Sequence, residues 1–400
     1  MIVMAGADLV LPDGVRAAAT LIVDGGRVID ITDQPPTGLD AVNLRGHVIL
    51  PGFIDVHVHG LEGVDTFDGP AAVADIARRL PKYGVTAFCP TTVACSPQAL
   101  REVLVSISTL RRSPPSSAAR VLPAHLESNF INPEYCGAQP VGCLRRPPRL
   151  EGMEPSRDSR AATGSYEGAD ILAEIDRAGA DVGIVTLAPE LDGALDLIRH
   201  LVSHGRRVSL GHSGATLDQT RAAIAAGARH ATHLFNRMRP LNHREPGIVG
   251  AILTADEVAA EVICDGVHVH RDMVRMAVAA KGPRRMMAIT DGVAAAGLPA
   301  GASAMLGGRR IRVDESAAYL EDGTLAGSVA TMDRVFAFLV REVGLSLSDA
   351  AQLCAATPAH ELGLTGQGMI VKGAWADLVV MDRELNVRQT YIAGTLVHSS

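Results

Sequence analysis

The 400-residue chain has no surplus of positive charge. Its 37 Lys and Arg against 44 Asp and Glu give a formal net charge of −7, with no long run of like charge. That excludes an extended basic face for a nucleic-acid backbone. It leaves room for a small anion, which needs only one or two cations. No stretch of about 18 uncharged apolar residues marks a membrane span. The opening MIVMAGADLVLPDG reaches charged and glycine residues too early for a secretory signal. The six cysteines, Cys89, Cys95, Cys136, Cys143, Cys264 and Cys354, form no C-x-x-C pair. A chain this long does not need disulfide staples, so a reducing cytoplasm is the expected setting.

What is present is a large apolar fraction, 47% of residues, enough for one large core and a smaller satellite. Short strand patterns separated by Gly and Asp turns occupy residues 9–11, 20–23, 27–31 and 48–50, and return at 376–381 and 390–397. They predict a small β-sandwich domain built from both chain ends, residues 1–50 and 366–400. Between them, strand patterns at 53–59, 86–93, 121–127, 182–188, 207–212, 231–235, 259–265 and 286–291 alternate with amphipathic helices. The helices are at 71–83, 97–112, 169–178, 194–203, 217–226 and 271–280. Eight strands alternating with helices predict parallel βα units closed into a (β/α)₈ barrel over residues 51–365. Helices at 332–343 and 348–362 lead back to the end domain. Residues 132–164, aperiodic and rich in Pro, Arg and Gly, predict a long loop over the barrel mouth.

Barrel active sites lie at the C-terminal ends of the strands, so the residues ending each strand are the informative ones. The first strand ends in His57-Val58-His59, and alternation puts both imidazoles on one face. The third ends in Glu127, the fifth in His212, the sixth in His233 and the eighth in Asp291; His268 follows the seventh. Taken singly, an H-x-H pair or a strand-end histidine is commonly just a hydrogen-bonded residue. Five histidines and two carboxylates at one level of one barrel instead suit a divalent ion. His57, His59 and Asp291 can hold one ion and His212 and His233 another, with Glu127 bridging them or belonging to the second. Asp291 ends the apolar run Met-Met-Ala-Ile-Thr-Asp, where a buried carboxylate is costly without a cation. It is read as the acid/base that takes the proton of an attacking water, a role that does not forbid metal contact. His125 lies deeper on the Glu127 face and is read as support or core, and His270 as a helix-start residue.

With these residues in place, the chain resembles the N-acetylglucosamine-6-phosphate deacetylases of the amidohydrolase superfamily. The resemblance spans nearly the whole chain. It rests on Pro51-Gly52-Phe53-Ile54-Asp55-Val56-His57-Val58-His59-Gly60, Gly211-His212-Ser213, and Ala231-Thr232-His233-Leu234-Phe235-Asn236. It also rests on Arg244-Glu245-Pro246-Gly247, Asp265-Gly266-Val267-His268, Thr290-Asp291 and Ala376-Asp377-Leu378-Val379-Val380. It implies hydrolysis of the N-acetyl group of an amino-sugar phosphate, giving the free amine and acetate. One or two divalent ions per subunit are implied, zinc first, with Fe²⁺, Co²⁺ and Mn²⁺ as alternatives. Glu127, His212 and His233 would be the main ligands, with His57 and His59 serving a second ion. Asp291 would be the acid/base, and His268 would hold the sugar or the scissile carbonyl. Asn236 and the backbone near Ala138 would touch the substrate. Arg244 would reach the phosphate in a neighbouring subunit, which implies a homodimer.

The departures fall mostly around the expected substrate pocket. Glu127 precedes Ser128-Asn129-Phe130 where the family usually has Gly-Pro-Phe, and Cys136-Gly137-Ala138-Gln139 stands where it usually ends in His. Arg237 replaces a small residue, and Thr290-Asp291-Gly292 replaces Thr-Asp-Ala. Arg237 adds a cation beside Asn236, which makes it a further candidate for the substrate anion. The exact sugar is therefore open: N-acetylgalactosamine 6-phosphate or an N-acyl amino acid are the rival substrates. Dihydroorotase-like enzymes commonly use a carboxylated lysine on the fourth strand, and residues 182–188 contain none. A non-catalytic barrel should have lost several ligands, whereas this chain keeps the full set.

Overall fold

A computed structural model describes residues 1–149, 168–314 and 317–400. Parallel strands run in the order Val85–Thr92, Ala124–Glu127, Val182–Leu187, Arg207–Leu210, His230–Ala231, Ala259–Ile263 and Met286–Ile289, with Phe53–Val58 paired on the other side of Val85–Thr92. The ring closes between the last strand and the first. Val58 bridges Gly292 in parallel, and the amides of His59 and Gly60 donate to the Gly292 carbonyl at 2.8 and 2.9 Å. Buried Asp55 staples the same seam by accepting from Thr290 Oγ1 at 2.5 Å. This is the expected (β/α)₈ barrel. Among the described residues, no helix is long and apolar enough to cross a membrane.

The outer layer follows from helical periodicity. In Pro97–Arg112, the residues Leu100, Val103, Leu104 and Ile107 form one buried stripe, and Ser96 caps the helix by accepting from the Ala99 amide. In Val182–Leu187 the period is two. Val185 and Leu187 join the helix-facing core, whereas Thr186 carries a hydrogen bond among buried polar side chains.

Both chain ends enter one mixed sheet in the order Thr395–Ser399, Val387–Ile392, Leu378–Met381, Val48–Pro51, Ile2–Leu11, Gly14–Asp24 and Arg27–Thr32, with Val42–Asn43 added beside Ile2–Leu11. Alternation divides its strands between two cores. Leu378, Val380 and Ile49 pack with Met4, Leu9 and Leu21, while Val379, Met381 and Leu50 face the barrel core.

Several expectations need correcting. The pattern at 390–397 is two strands, because Ala393-Gly394 turns the chain between them. The sixth barrel strand is only His230–Ala231; His233 and Phe235 have φ of 30° and 79°, which a strand cannot accommodate. The fifth and eighth strands stop short of His212 and Asp291 for the same reason, as both have φ of 49°. Helix Gly247–Thr254 went unread because GIVGAILT has no polar face, and most of it is buried. An antiparallel three-stranded sheet, Ser303–Leu306, Arg309–Val313 and Ala318–Leu320, follows the eighth strand and was also unread. Of the expected mouth loop at 132–164, residues 150–164 lie outside the described residues; 132–149 carry two short 3₁₀ turns, Pro133–Tyr135 and Val141–Cys143.

Candidate metal centre and active site

Glu127, at the end of the third strand, is the hub. Its Oε1 lies 2.6 Å from His212 Nε2 and 2.8 Å from His233 Nε2, and its Oε2 lies 3.3 Å from His59 Nε2. The two imidazoles on Oε1 are themselves 3.1 Å apart. On the other side, Asp291 Oδ1 is 3.2 Å from His57 Nε2 and 3.3 Å from His59 Nε2. The six side chains expected from strand ends therefore converge, and Glu127 touches both subsets. Among the described residues, Glu127–His212–His233 and His57–His59–Glu127 each bring their donor atoms within 4.8 Å of one another.

The proton inventory shows what this arrangement lacks. His212 Nδ1 lies 2.8 Å from the Tyr135 carbonyl, which can only accept, so Nδ1 carries the proton and Nε2 presents a lone pair. His57 Nδ1 likewise donates to the Glu261 carboxylate at 2.9 Å, leaving its Nε2 lone pair facing Asp291 and His59. Lone pairs thus face carboxylate oxygens, which needs cations between them. Without a metal, protons must supply that charge. Burial alone pushes His59 and His233 down, yet hydrogen bonds to Asp291 and Glu127 raise His59 to about 10, and Glu127 raises His233 to about 9. His57 is driven by burial to about 4, against the opposing pull of the Asp291 and Glu127 charges. Asp291 is opposed by burial but is held near 2, with His57 and His59 lowering it. Imidazole and carboxylate donors that converge on a deficit of positive charge fit one or two divalent ions.

A third trio, His57–His125–Glu261, also lies within reach of an ion, but its protons argue otherwise. His125 Nδ1 donates to the Val56 carbonyl at 3.0 Å, and its Nε2 accepts from Thr186 Oγ1 at 2.9 Å. Both nitrogens are occupied. This trio is a hydrogen-bonded layer beneath the centre, as expected for His125. His270 caps helix Arg271–Lys281 by accepting from the Asp272 amide, also as expected.

The backbone is strained where the donors sit. His212, His233 and Asp291, with Phe235 and Arg237, all have left-handed φ without being glycine. Each such residue costs on the order of 1–3 kcal/mol and persists only where the surroundings impose it.

The centre floors a cleft lined by His59, Glu127, His212, His233 and Asp291 together with Ala138, Gln139, Asn236, Arg237 and His268. All the expected contact residues except Arg244 reach it. Asp265 Oδ2 fixes His268 by accepting from Nδ1 at 2.6 Å; burial pushes that carboxyl up, but the His268 bond more than reverses this. Arg237 lies over Gly137, where a Cβ would come within 2.5 Å of its Nε, and Gly137 also has φ of +61°. A side chain there would be strained and would displace the Arg237 guanidinium. Arg309, from the inserted sheet, holds the Ala138 carbonyl at 3.0 Å. Arg244 stands apart on an exposed loop. Its neighbour Glu245 pairs with Arg239 at 2.6 Å, which leaves the Arg244 guanidinium without a partner among the described residues.

Sequence reasoning missed Glu261, His230 and the role of Gln139. Glu261 is a lone charge in the apolar strand Ala259–Ile263, and that isolation was the available signal. His230 is fully buried, and burial holds it well below the ordinary histidine range. Gln139 spends its amide inward, donating to Glu127 Oε2 and accepting from the Ala94 amide at 2.7 Å.

Comparison with known proteins agrees with this geometry. The amidohydrolase family model matches residues 48–397. The N-acetylglucosamine-6-phosphate deacetylase of Rattus norvegicus is 38% identical over 404 residues, covering 97% of this chain and 93% of that protein. The Bacillus subtilis enzyme of the same name is 35% identical, covering 94% and 92%. The Thermotoga maritima enzyme superposes with a TM-score of 0.84 at 30% identity over the full length of both chains. An aspartate-to-alanine mutant of the Mycobacterium smegmatis enzyme, solved with N-acetyl-D-glucosamine-6-phosphate, gives 0.88 at 31% identity, covering 100% of this chain and 99% of that one. The chain belongs to the amidohydrolase family, within its N-acetylglucosamine-6-phosphate deacetylases.

Proposed function

We propose that this chain hydrolyses the acetamide of N-acetylglucosamine 6-phosphate, releasing glucosamine 6-phosphate and acetate. The observation that carries this is the Glu127-centred cluster of four histidines and Asp291 at the floor of the barrel-mouth cleft, in a chain similar to deacetylases along its length. Zinc is the first candidate for the centre, with iron, cobalt and manganese as alternatives. A divalent ion bound there would supply Lewis acidity toward the acetyl carbonyl and lower the pKa of water. Glu127, His212 and His233 would hold a first ion, and His57 and His59, with Asp291 alongside, a second.

The chain's own groups do the rest. Water oxygen adds to the acetyl carbon and the C–N bond breaks. Asp291 takes the water proton and returns it to the departing amine nitrogen. His268, oriented by Asp265, hydrogen-bonds the sugar or the carbonyl. The backbone at Ala138 and the Asn236–Arg237 turn flank the sugar, and Arg237 supplies a cation for the phosphate. With its thiols unpaired, the protein fits a cytoplasmic setting.

The test is acetate release from N-acetylglucosamine and N-acetylgalactosamine, each with and without 6-phosphate. The 6-phosphate of N-acetylglucosamine is expected to be the best substrate. Arg237→Ala is expected to cut kcat/KM for it by roughly 10- to 100-fold, the worth of one charge-assisted hydrogen bond of about 1.5–3 kcal/mol, while sparing the unphosphorylated sugar. An unchanged preference would place Arg237 outside phosphate recognition.

Arg244 is assigned to the neighbouring subunit's phosphate in a homodimer. Its exposed, unpartnered guanidinium supports this, since the planar fork suits bidentate phosphate binding. Arg244→Ala and Asp291→Asn homodimers are each expected to be poorly active. In the mixed dimer, the site that keeps Asp291 receives Arg244 from its partner, so activity returns in up to one site per dimer. No recovery after verified subunit exchange would exclude donation between subunits.

A further inference from the structure

Beneath the metal donors lies a carboxylate to which the reaction above gives no part. Glu261 sits in the seventh strand with no solvent exposure. One of its oxygens, Oε2, accepts from His57 Nδ1 at 2.9 Å and from the His233 backbone amide at 3.3 Å. The other, Oε1, has no hydrogen-bond partner and faces two more imidazoles, His230 Nε2 at 3.4 Å and His125 Nδ1 at 3.6 Å. His57 and His233 belong to different halves of the centre. A single oxygen atom therefore ties one donor of each half to the same strand.

We propose that Glu261 is a positioning residue for the metal centre: by holding the proton on His57 Nδ1 it keeps the His57 Nε2 lone pair turned toward Asp291 and His59, and so determines whether the second ion binds. The inference deepens the proposed function and rests on its metal reading. The chemistry is general. An imidazole has one proton to place when neutral, and an acceptor on one nitrogen commits the other to ligation. No alternative acceptor for His57 Nδ1 is found among the described residues. His125, the nearest ring at 4.5 Å between centroids, has its own Nδ1 proton committed to the Val56 carbonyl. The His233 amide bond serves a second purpose. His233 has the strained φ of 30°, and Glu261 helps hold that turn while its ring faces Glu127.

Two conservative variants separate reach from charge. Glu261→Gln keeps an oxygen where Oε2 stands and loses the charge. Glu261→Asp keeps the charge and draws it back by one methylene, out of reach of His57. Metal-free wild type and both variants are titrated with Zn²⁺ against a chelator, counting ions bound and their affinities, with His57→Ala marking the second site. Wild type is expected to bind two ions and His57→Ala one. Glu261→Asp should bind the second ion 10- to 100-fold more weakly, the usual cost of losing an outer-layer partner, with the first affected less. Glu261→Gln should stay within a few-fold of wild type. Equal second-site affinity in Glu261→Asp and wild type, or a loss in Glu261→Gln as large as in Glu261→Asp, overturns the inference while leaving the metal reading intact. A wild type whose stoichiometry matches His57→Ala overturns the two-ion reading, and the inference with it.

Discussion

His212→Ala is expected to strip most of the divalent ion from the purified protein and abolish deacetylation. The His212 ring faces Glu127 Oε1 from 2.6 Å and is locked in orientation by its bond to the Tyr135 carbonyl. Removing it takes one of three donors from the tighter trio and leaves Glu127 Oε1 with only the His233 imidazole. Wild type prepared without chelator should carry more than about half an equivalent of metal, and the variant only a small fraction of that, because ligand loss and metal loss are one equilibrium. The backbone supplies a control. His212 has φ of 49°, a conformation asparagine tolerates better than most residues. His212→Asn should therefore keep the turn and still lose the metal. Elemental analysis and acetate release on the three proteins decide the matter. A metal-free wild type at full activity, or an alanine variant with metal and turnover intact, would end the hypothesis.

The second large effect is on rate rather than assembly. Asp291→Asn preserves shape but removes the proposed base, so kcat should fall by roughly 10²–10⁴, the range for general acid–base groups. Substrate binding should survive, because the proposed sugar contacts, Ala138, Asn236, Arg237 and His268, lie elsewhere in the cleft lining. Asp291 also touches His57 and His59 within 3.3 Å, so metal content must be measured alongside. A variant with both ions, unchanged KM and a collapsed kcat identifies the base. Near wild-type turnover would show that another group moves the proton.

The centre was legible in the sequence because a parallel barrel turns residue position into height. Once the strands are located, whatever ends them lies at the mouth, and histidine or carboxylate there stands out against apolar runs such as Met286–Ile289. The same logic failed one layer down. Glu261 and His230 do not end long strands, and a residue inside a strand carries no marker of which neighbours it meets across the barrel. Gln139 was visible as a departure, but its inward bond to Glu127 depends on how the Cys136–Cys143 loop folds back, which periodicity cannot report. Helix Gly247–Thr254 hid because a helix apolar on all sides has no stripe. The strands Ser303–Leu306 and Arg309–Val313 do alternate buried and exposed residues, so their signal was present but unread.

The sheet made from both chain ends has a consequence for synthesis. Arg27 donates to the Gly373 carbonyl across 346 residues of sequence, and Val48–Pro51 waits for Leu378–Met381 as its antiparallel neighbour. At roughly 5–20 residues per second, a ribosome takes on the order of tens of seconds to deliver that partner. Throughout that interval the strand carrying Ile49 and Leu50 offers an open, apolar edge to any other nascent chain. The barrel can begin to assemble while translation continues, but the end sheet cannot close before the last strands emerge. Slower translation should thus lengthen the time for which that edge stands open.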